Sequence, residues 1–121
     1  MKTKLPSEPA KRKAIPLFDG VFAYFPDALV EVAMASAAGQ KQHFDTEPGE
    51  MTWDRSKSKD ELNAMMRHLL QRGEIDTDGV RHTGKAVWRL LAYLQKEIET
   101  SRLHAVAQPA KVSHVKRTNA Q

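Results

Sequence analysis

The chain has 121 residues and a net charge of +4 at neutral pH, enough for one small domain with a modest core. It has no cysteine, which excludes disulfides and thiolate metal sites and fits a reducing, cytoplasmic setting. No apolar run approaches the roughly 20 residues that a membrane span needs, and Met1-Lys2-Thr3-Lys4 leads into Pro and charge, so neither membrane insertion nor a secretory signal is expected.

In chain order, residues 1–13 read as a basic, flexible tail, poor in large apolar side chains. Residues 14–25 carry four of the eight aromatic residues, Phe18, Phe22, Tyr24 and Phe25, with Pro16 and Gly20 interrupting any long helix. This segment reads as an extended or one-turn arm lying across the bundle or across a partner subunit. Pro26-Asp27 opens a helix, with Leu29, Val30, Val32, Ala33, Met34 and Ala37 as its apolar surface and Gly39 as its stop. Residues 40–57 form a polar connection with Pro48-Gly49 as a turn and Trp53 as the one large anchor.

Ser58-Lys59-Asp60-Glu61 matches a capping box, with Ser58 as N-cap, and opens a second helix whose stripe is Leu62, Met65, Met66, Leu69 and Leu70. Gly73 ends it. A third helix from about Val80 or His82 to Thr100 has Val87, Leu90, Leu91, Leu94 and Ile98 as its expected core face. No segment reads as a strand. The fold class is all-α: a small bundle of about three main helices with an aromatic arm. So thin a core is expected to be completed by homodimerisation.

Charge divides by region. Residues 14–100 hold ten Lys/Arg against fourteen Asp/Glu, a net of −4, while the two ends hold nine against Glu8 alone, a net of +8. The domain is therefore placed at residues 14–100, with a second basic tail at 101–121. Such tails make weak, non-specific contact with nucleic acid, or remain solvated.

Several polar residues stand out, each with an ordinary reading beside the chemical one. Asp27 and Glu31, four apart on one helix face, suit a hard cation such as Mg²⁺, but equally a helix dipole and a solvated face. Arg67 and His68 interrupt an apolar stripe, so one of them lies near buried surface and needs a partner. Glu74-Ile75-Asp76-Thr77-Asp78-Gly79 resembles the start of a calcium loop. Lys85 falls where an EF-hand requires a bidentate Glu, so that reading is rejected in favour of an acidic turn capping the third helix. Arg81, Lys85 and Arg89 form a cationic stripe suited to phosphate, to Asp27 and Glu31, or to solvent. Trp53 with Arg55 and Lys57 could stack a base and meet phosphate, or pin its loop to the core.

Taken together, Tyr24-Phe25-Pro26-Asp27-Ala28-Leu29-Val30-Glu31-Val32-Ala33, Gln42-His43, Trp53-Asp54-Arg55-Ser56-Lys57-Ser58, Arg67-His68-Leu69, Arg72-Gly73 and Asp76-Thr77-Asp78-Gly79-Val80-Arg81-His82 resemble the phage-associated dATP/dGTP diphosphohydrolase N-terminal domain family. That family is in turn similar to the helical MazG-type nucleotide pyrophosphohydrolases. The resemblance implies a metal-dependent enzyme converting a purine deoxynucleoside triphosphate to monophosphate and pyrophosphate. It implies Mg²⁺ (or Mn²⁺) on Asp27, Glu31 and Asp60, with phosphates on Arg55, Arg67, Arg81, Lys85 and Arg89. Trp53 would cover the base, and His68 and His82 would orient water or substrate. Two positions depart from the pattern: Asn63 stands where an acid is expected, and Lys85 where a second histidine often follows His82. A catalytically silent nucleotide-binding member, or a helical protein touching nucleic acid through its tails, are the alternatives.

Overall fold

The computed structural model describes residues 3–44 and 51–107. Among these residues four α-helices appear in order: α1 (Pro9–Lys13), α2 (Pro26–Phe44), α3 (Glu61–Leu70) and α4 (His82–Ala107). Among the described residues there is no strand, only an isolated antiparallel bridge between Ile75 and Arg81. None of these helices alone is long and apolar enough to cross a membrane. The expected all-α class holds.

Short elements fill the connections. Pro9 starts α1 at a position that needs no amide donor, and Glu8 caps it by accepting from the Lys11 amide at 3.3 Å. This helix falls inside the stretch expected to be a flexible tail. The arm forms one wide π-helical turn over Phe18–Phe22, with Phe18 and Phe22 stacked at 5.3 Å. The long connection contains a 3₁₀ turn at Arg55–Lys57, with the Asp54 carboxylate accepting from the Ser56 amide.

Three boundaries differ from expectation. α2 continues through Gly39 because the next residue is an anchor: Gln40 is buried, and its side-chain oxygen accepts from the Thr52 amide at 2.8 Å. α3 starts at Glu61 with Asp60 as N-cap, so Ser58 stands outside the helix and donates its hydroxyl to the Glu61 carboxylate instead of capping an amide. Glu61 is buried and meets Lys96 at 2.7 Å across the α3–α4 interface. α4 extends seven residues past Thr100, so part of the second expected tail is helical. The remainder of that tail, residues 108–121, and the Pro48-Gly49 turn lie outside the described residues.

α4 is the spine, packing chiefly on α3 and also on α2. Its orientation reverses the expected one. Lys85, Arg89, Ala92 and Lys96 follow one face at helical spacing and turn inward, with Ala92 buried and the three cations partly so. Val87, Leu90, Leu91 and Leu94, expected to form the core, lie on the opposite face and are each 41–49% exposed. A helix normally hides its apolar stripe. Here the inward face is polar because it lines a cleft.

Candidate functional site

That cleft has a volume of about 620 Å³ and is walled by α2, the segment around Trp53, His68 of α3, the acidic turn after α3, and α4. Two indoles form one wall: Trp53 and Trp88 meet edge to face, with ring centroids 5.8 Å apart. The Trp88 ring nitrogen donates to the Ser36 hydroxyl at 2.8 Å, fixing α4 against α2. The Trp53 ring nitrogen is buried and has no partner among the described residues. Buried donors are nearly always paired, and the described residues leave this one without an acceptor. Arg55 covers the ring from outside, its guanidinium carbon 4.1 Å from the centroid, and pairs with Glu99 at 2.5 Å.

The opposite wall is a tight turn. The Asp76 amide donates to Val80 O and the Gly79 amide to Asp76 O, both at 2.9 Å, while the His82 amide reaches Glu74 O at 3.1 Å. Gly79 adopts φ +84°, a conformation other residues rarely take, and lets the chain reverse. Buried Val80 holds the turn to the bundle. Asp76 and Asp78 each give one oxygen to a backbone amide, of Thr77 at 2.7 Å and of Val80 at 3.1 Å. The other oxygens receive the Lys85 ammonium at 2.7 and 2.6 Å. Hydrogen bonding from Lys85, then from the Thr77 amide, holds Asp76 down to about 2. Burial pushes Lys85 down, but the two carboxylates outweigh it and raise its pKa.

Two histidines sit beside this ion pair. Nδ1 of His68 and Nδ1 of buried His82 are 2.9 Å apart, with the rings tilted at 33°. Such a contact needs one nitrogen to donate and the other to accept, so the pair bridges a single proton. Burial, then the neighbouring His82, Lys85 and Arg89, lowers the pKa of His68. His68 is therefore predominantly neutral at neutral pH and able to take a proton from a group in the cleft.

The structure brings Trp53, His68, Lys85 and Arg89 onto the cleft, with His82 behind His68. It disperses the others. Arg67 pairs with Asp60 at 3.2 Å on the exposed flank of α3, and Arg55 lies outside Trp53. The Arg81 side chain is exposed, while its amide donates to Glu31 at 2.7 Å. Asp27 is exposed in the first turn of α2, and Asn63 is exposed on α3. Gln42 is also exposed, and the side chain of His43 lies outside the described residues.

Glu31 has a structural task. Its carboxylate caps the positive end of α4 from a neighbouring helix, and its Cγ lies where a Cβ on Gly84 would come within 2.7 Å. Only glycine lets α4 approach α2 this closely. Among the described residues no group of three or more His, Asp or Glu could hold a metal ion. Asp27, Glu31 and Asp60 therefore do not come together as one ligand set among the described residues.

Sequence reasoning missed Ser36, Gln40 and Trp88, and took Asp76 and Asp78 for a simple cap. Trp88 was findable, since it lies one turn beyond Lys85 and next to Arg89; Ser36 and Gln40 carry no local signal. A family model described as dATP/dGTP diphosphohydrolase, N-terminal, matches residues 7–105. No curated protein and no solved structure matches the chain.

Proposed function

The chain belongs to the dATP/dGTP diphosphohydrolase N-terminal family, and from that premise we propose that its cleft binds a purine deoxynucleoside triphosphate and hydrolyses it to monophosphate and pyrophosphate. The observation that carries this reading is the cleft itself. It is large enough for a nucleotide, has the unpartnered Trp53 donor in its indole wall, and has Arg89 with no ion pair among the described residues. A purine edge supplies acceptors for an indole N–H, and its face suits an aromatic wall. Arg89, its guanidinium carbon 5.7 Å from the Trp88 ring centroid, is the cation we assign to phosphate, since Lys85 is held by two carboxylates. His68, neutral and braced by His82, is the base for a water attacking the α-phosphorus, with pyrophosphate leaving.

A second reading is binding without turnover, favoured by the absence of a metal ligand set among the described residues. One experiment separates them. The four dNTPs are offered with Mg²⁺, with Mn²⁺ and with chelator, following pyrophosphate release and the fluorescence of the two tryptophans. Release from dATP or dGTP supports hydrolysis; fluorescence change without release supports binding alone; neither response to any dNTP sinks both.

The same reading includes a second copy of the chain on the exposed apolar face of α4. Val87, Leu90, Leu91 and Leu94 form an exposed apolar stripe at helical spacing. A copy of the same helix matches it in length and spacing, in an isologous pair. Light scattering at micromolar concentration should give a dimer, and Leu91→Glu with Leu94→Glu a helical monomer; a wild-type monomer overturns this.

A further inference from the structure

We infer that Asp76, His82 and His68 form an ordered chain in which His82 is a positioning residue: it accepts the hydrogen of His68 Nδ1 and so leaves Nε2 of His68 as the basic atom on the cleft. The order of the hydrogens follows from the geometry; the use of Nε2 in hydrolysis rests on the nucleotide reading above.

Two ring nitrogens 2.9 Å apart need one donor and one acceptor, and by distance alone either ring could take either part. Asp76 decides between them. Its carboxylate oxygen faces Nε2 of His82 at 3.8 Å, beyond hydrogen-bond length yet within ion-pair reach. At that range a carboxylate attracts a ring nitrogen that bears hydrogen and repels one that presents its lone pair. A neutral imidazole carries one hydrogen. With that hydrogen on Nε2, His82 offers only a lone pair at Nδ1, so His68 must donate from its own Nδ1. Nε2 of His68 is then without hydrogen. His68 lines the cleft, whereas His82 is buried behind it at 6% exposure, so the lone pair of His68 is the one within reach of water or ligand.

The chain is anchored at its far end. One oxygen of Asp76 accepts from the Thr77 amide at 2.7 Å, and the oxygen facing His82 also accepts from Lys85 at 2.7 Å. The charged groups facing the histidine pair are Lys85 and Arg89 of α4 and Asp76 of the turn. The helix ends direct an added proton to His68, which is in the last turn of α3, where positive charge is favoured; His82 opens α4, at its positive end. Water in the cleft would give one hydrogen to His68 Nε2 and attack the α-phosphorus as hydroxide, displacing pyrophosphate. The His68 imidazolium so formed still donates from Nδ1 to His82, so the bridge survives the transfer, and the proton then leaves from Nε2 to solvent.

Long-range proton–nitrogen correlation spectra of the imidazole rings, taken on the full chain without nucleotide at about pH 8, read the tautomers directly. His68 should carry its hydrogen on Nδ1 and His82 on Nε2. Removing the acceptor with His82→Phe should return His68 to the Nε2–H form that free imidazole side chains favour. His82→Asn, whose amide oxygen can accept at the place of Nδ1, should keep His68 in the Nδ1–H form. Asp76→Asn should give His82 a mixture of both forms. An Nε2–H His68 in the wild type overturns the inference, as does a His68 that keeps Nδ1–H in a folded His82→Phe. If His82→Phe is unfolded, an Asp76→Asn protein with the wild-type order overturns it instead. In pyrophosphate release, His82→Phe should lower kcat by about tenfold or more with little change in KM, and His82→Asn by less. An unchanged kcat beside a reversed His68 tautomer overturns the positioning role. Absence of release from every dNTP refutes hydrolysis alone, because the wild-type tautomers decide the order of hydrogens by themselves.

Discussion

Replacing Gly84, in the first turn of α4, by alanine should destabilise the protein, although alanine is the better helix former. Alanine is favoured over glycine there by about 1 kcal/mol. The new Cβ, however, would lie 2.7 Å from Glu31 Cγ, with Glu31 Cβ and O at 3.6 and 3.5 Å. Only the first contact is prohibitive, and it has two remedies. Swinging Glu31 away breaks the 2.7 Å bond from the Arg81 amide, a charge-assisted bond worth about 1.5–3 kcal/mol, and removes an anion from the start of α4. Moving α4 off α2 instead costs about 1–3 kcal/mol in packing. Either way Gly84→Ala should cost a net of up to about 2 kcal/mol, a fall in Tm of up to roughly 12 °C for a domain of this size. In a Glu31→Ala background Cγ is absent and the remaining contacts are ordinary. There the same glycine substitution should stabilise by up to about 1 kcal/mol. Urea denaturation of the four proteins, followed by circular dichroism, measures the cycle. A rise in stability in the wild-type background, or the same effect in both, refutes this account of the α2–α4 contact.

Two further expectations concern charge. His68 is held below its ordinary pKa, so the unfolded chain takes up its proton first, and stability should fall as pH drops from about 6.5. Asp76 is held at about 2, against 3.8 unperturbed, so its contribution persists above that range and is lost as pH falls towards 2. Chemical denaturation between pH 8 and 2 should show both declines, and His68→Gln should lack the first. Burial pushes Glu61 up, but bonds from Lys96 and Ser58 outweigh it and hold it low. Lys96→Met should then cost about 3 kcal/mol by stranding a buried carboxylate, and Glu61→Leu with Lys96→Met far less. A double variant as unstable as the single would contradict a true buried pair.

What the sequence alone determined is local. Helical periodicity, Pro26 at a helix start and the absence of alternating segments are consequences of backbone sterics and side-chain spacing, and they produced the helices and the all-α class. The reverse turn was legible because Gly79 follows paired aspartates. Which face of a helix turns inward is not local. α4 has two candidate stripes, and hydropathy alone selects Val87, Leu90, Leu91 and Leu94. The protein instead faces Lys85, Arg89 and Lys96 inward, because α3 and the acidic turn present Glu61, Asp76 and Asp78 to meet or flank them. The same holds for Glu31. Its spacing from Asp27 suits a metal pair, yet the missing side chain of Gly84, far along the chain, lets it reach the end of α4 instead. Charge pairing and close helix approach depend on residues distant in sequence, so tertiary structure assigned those roles.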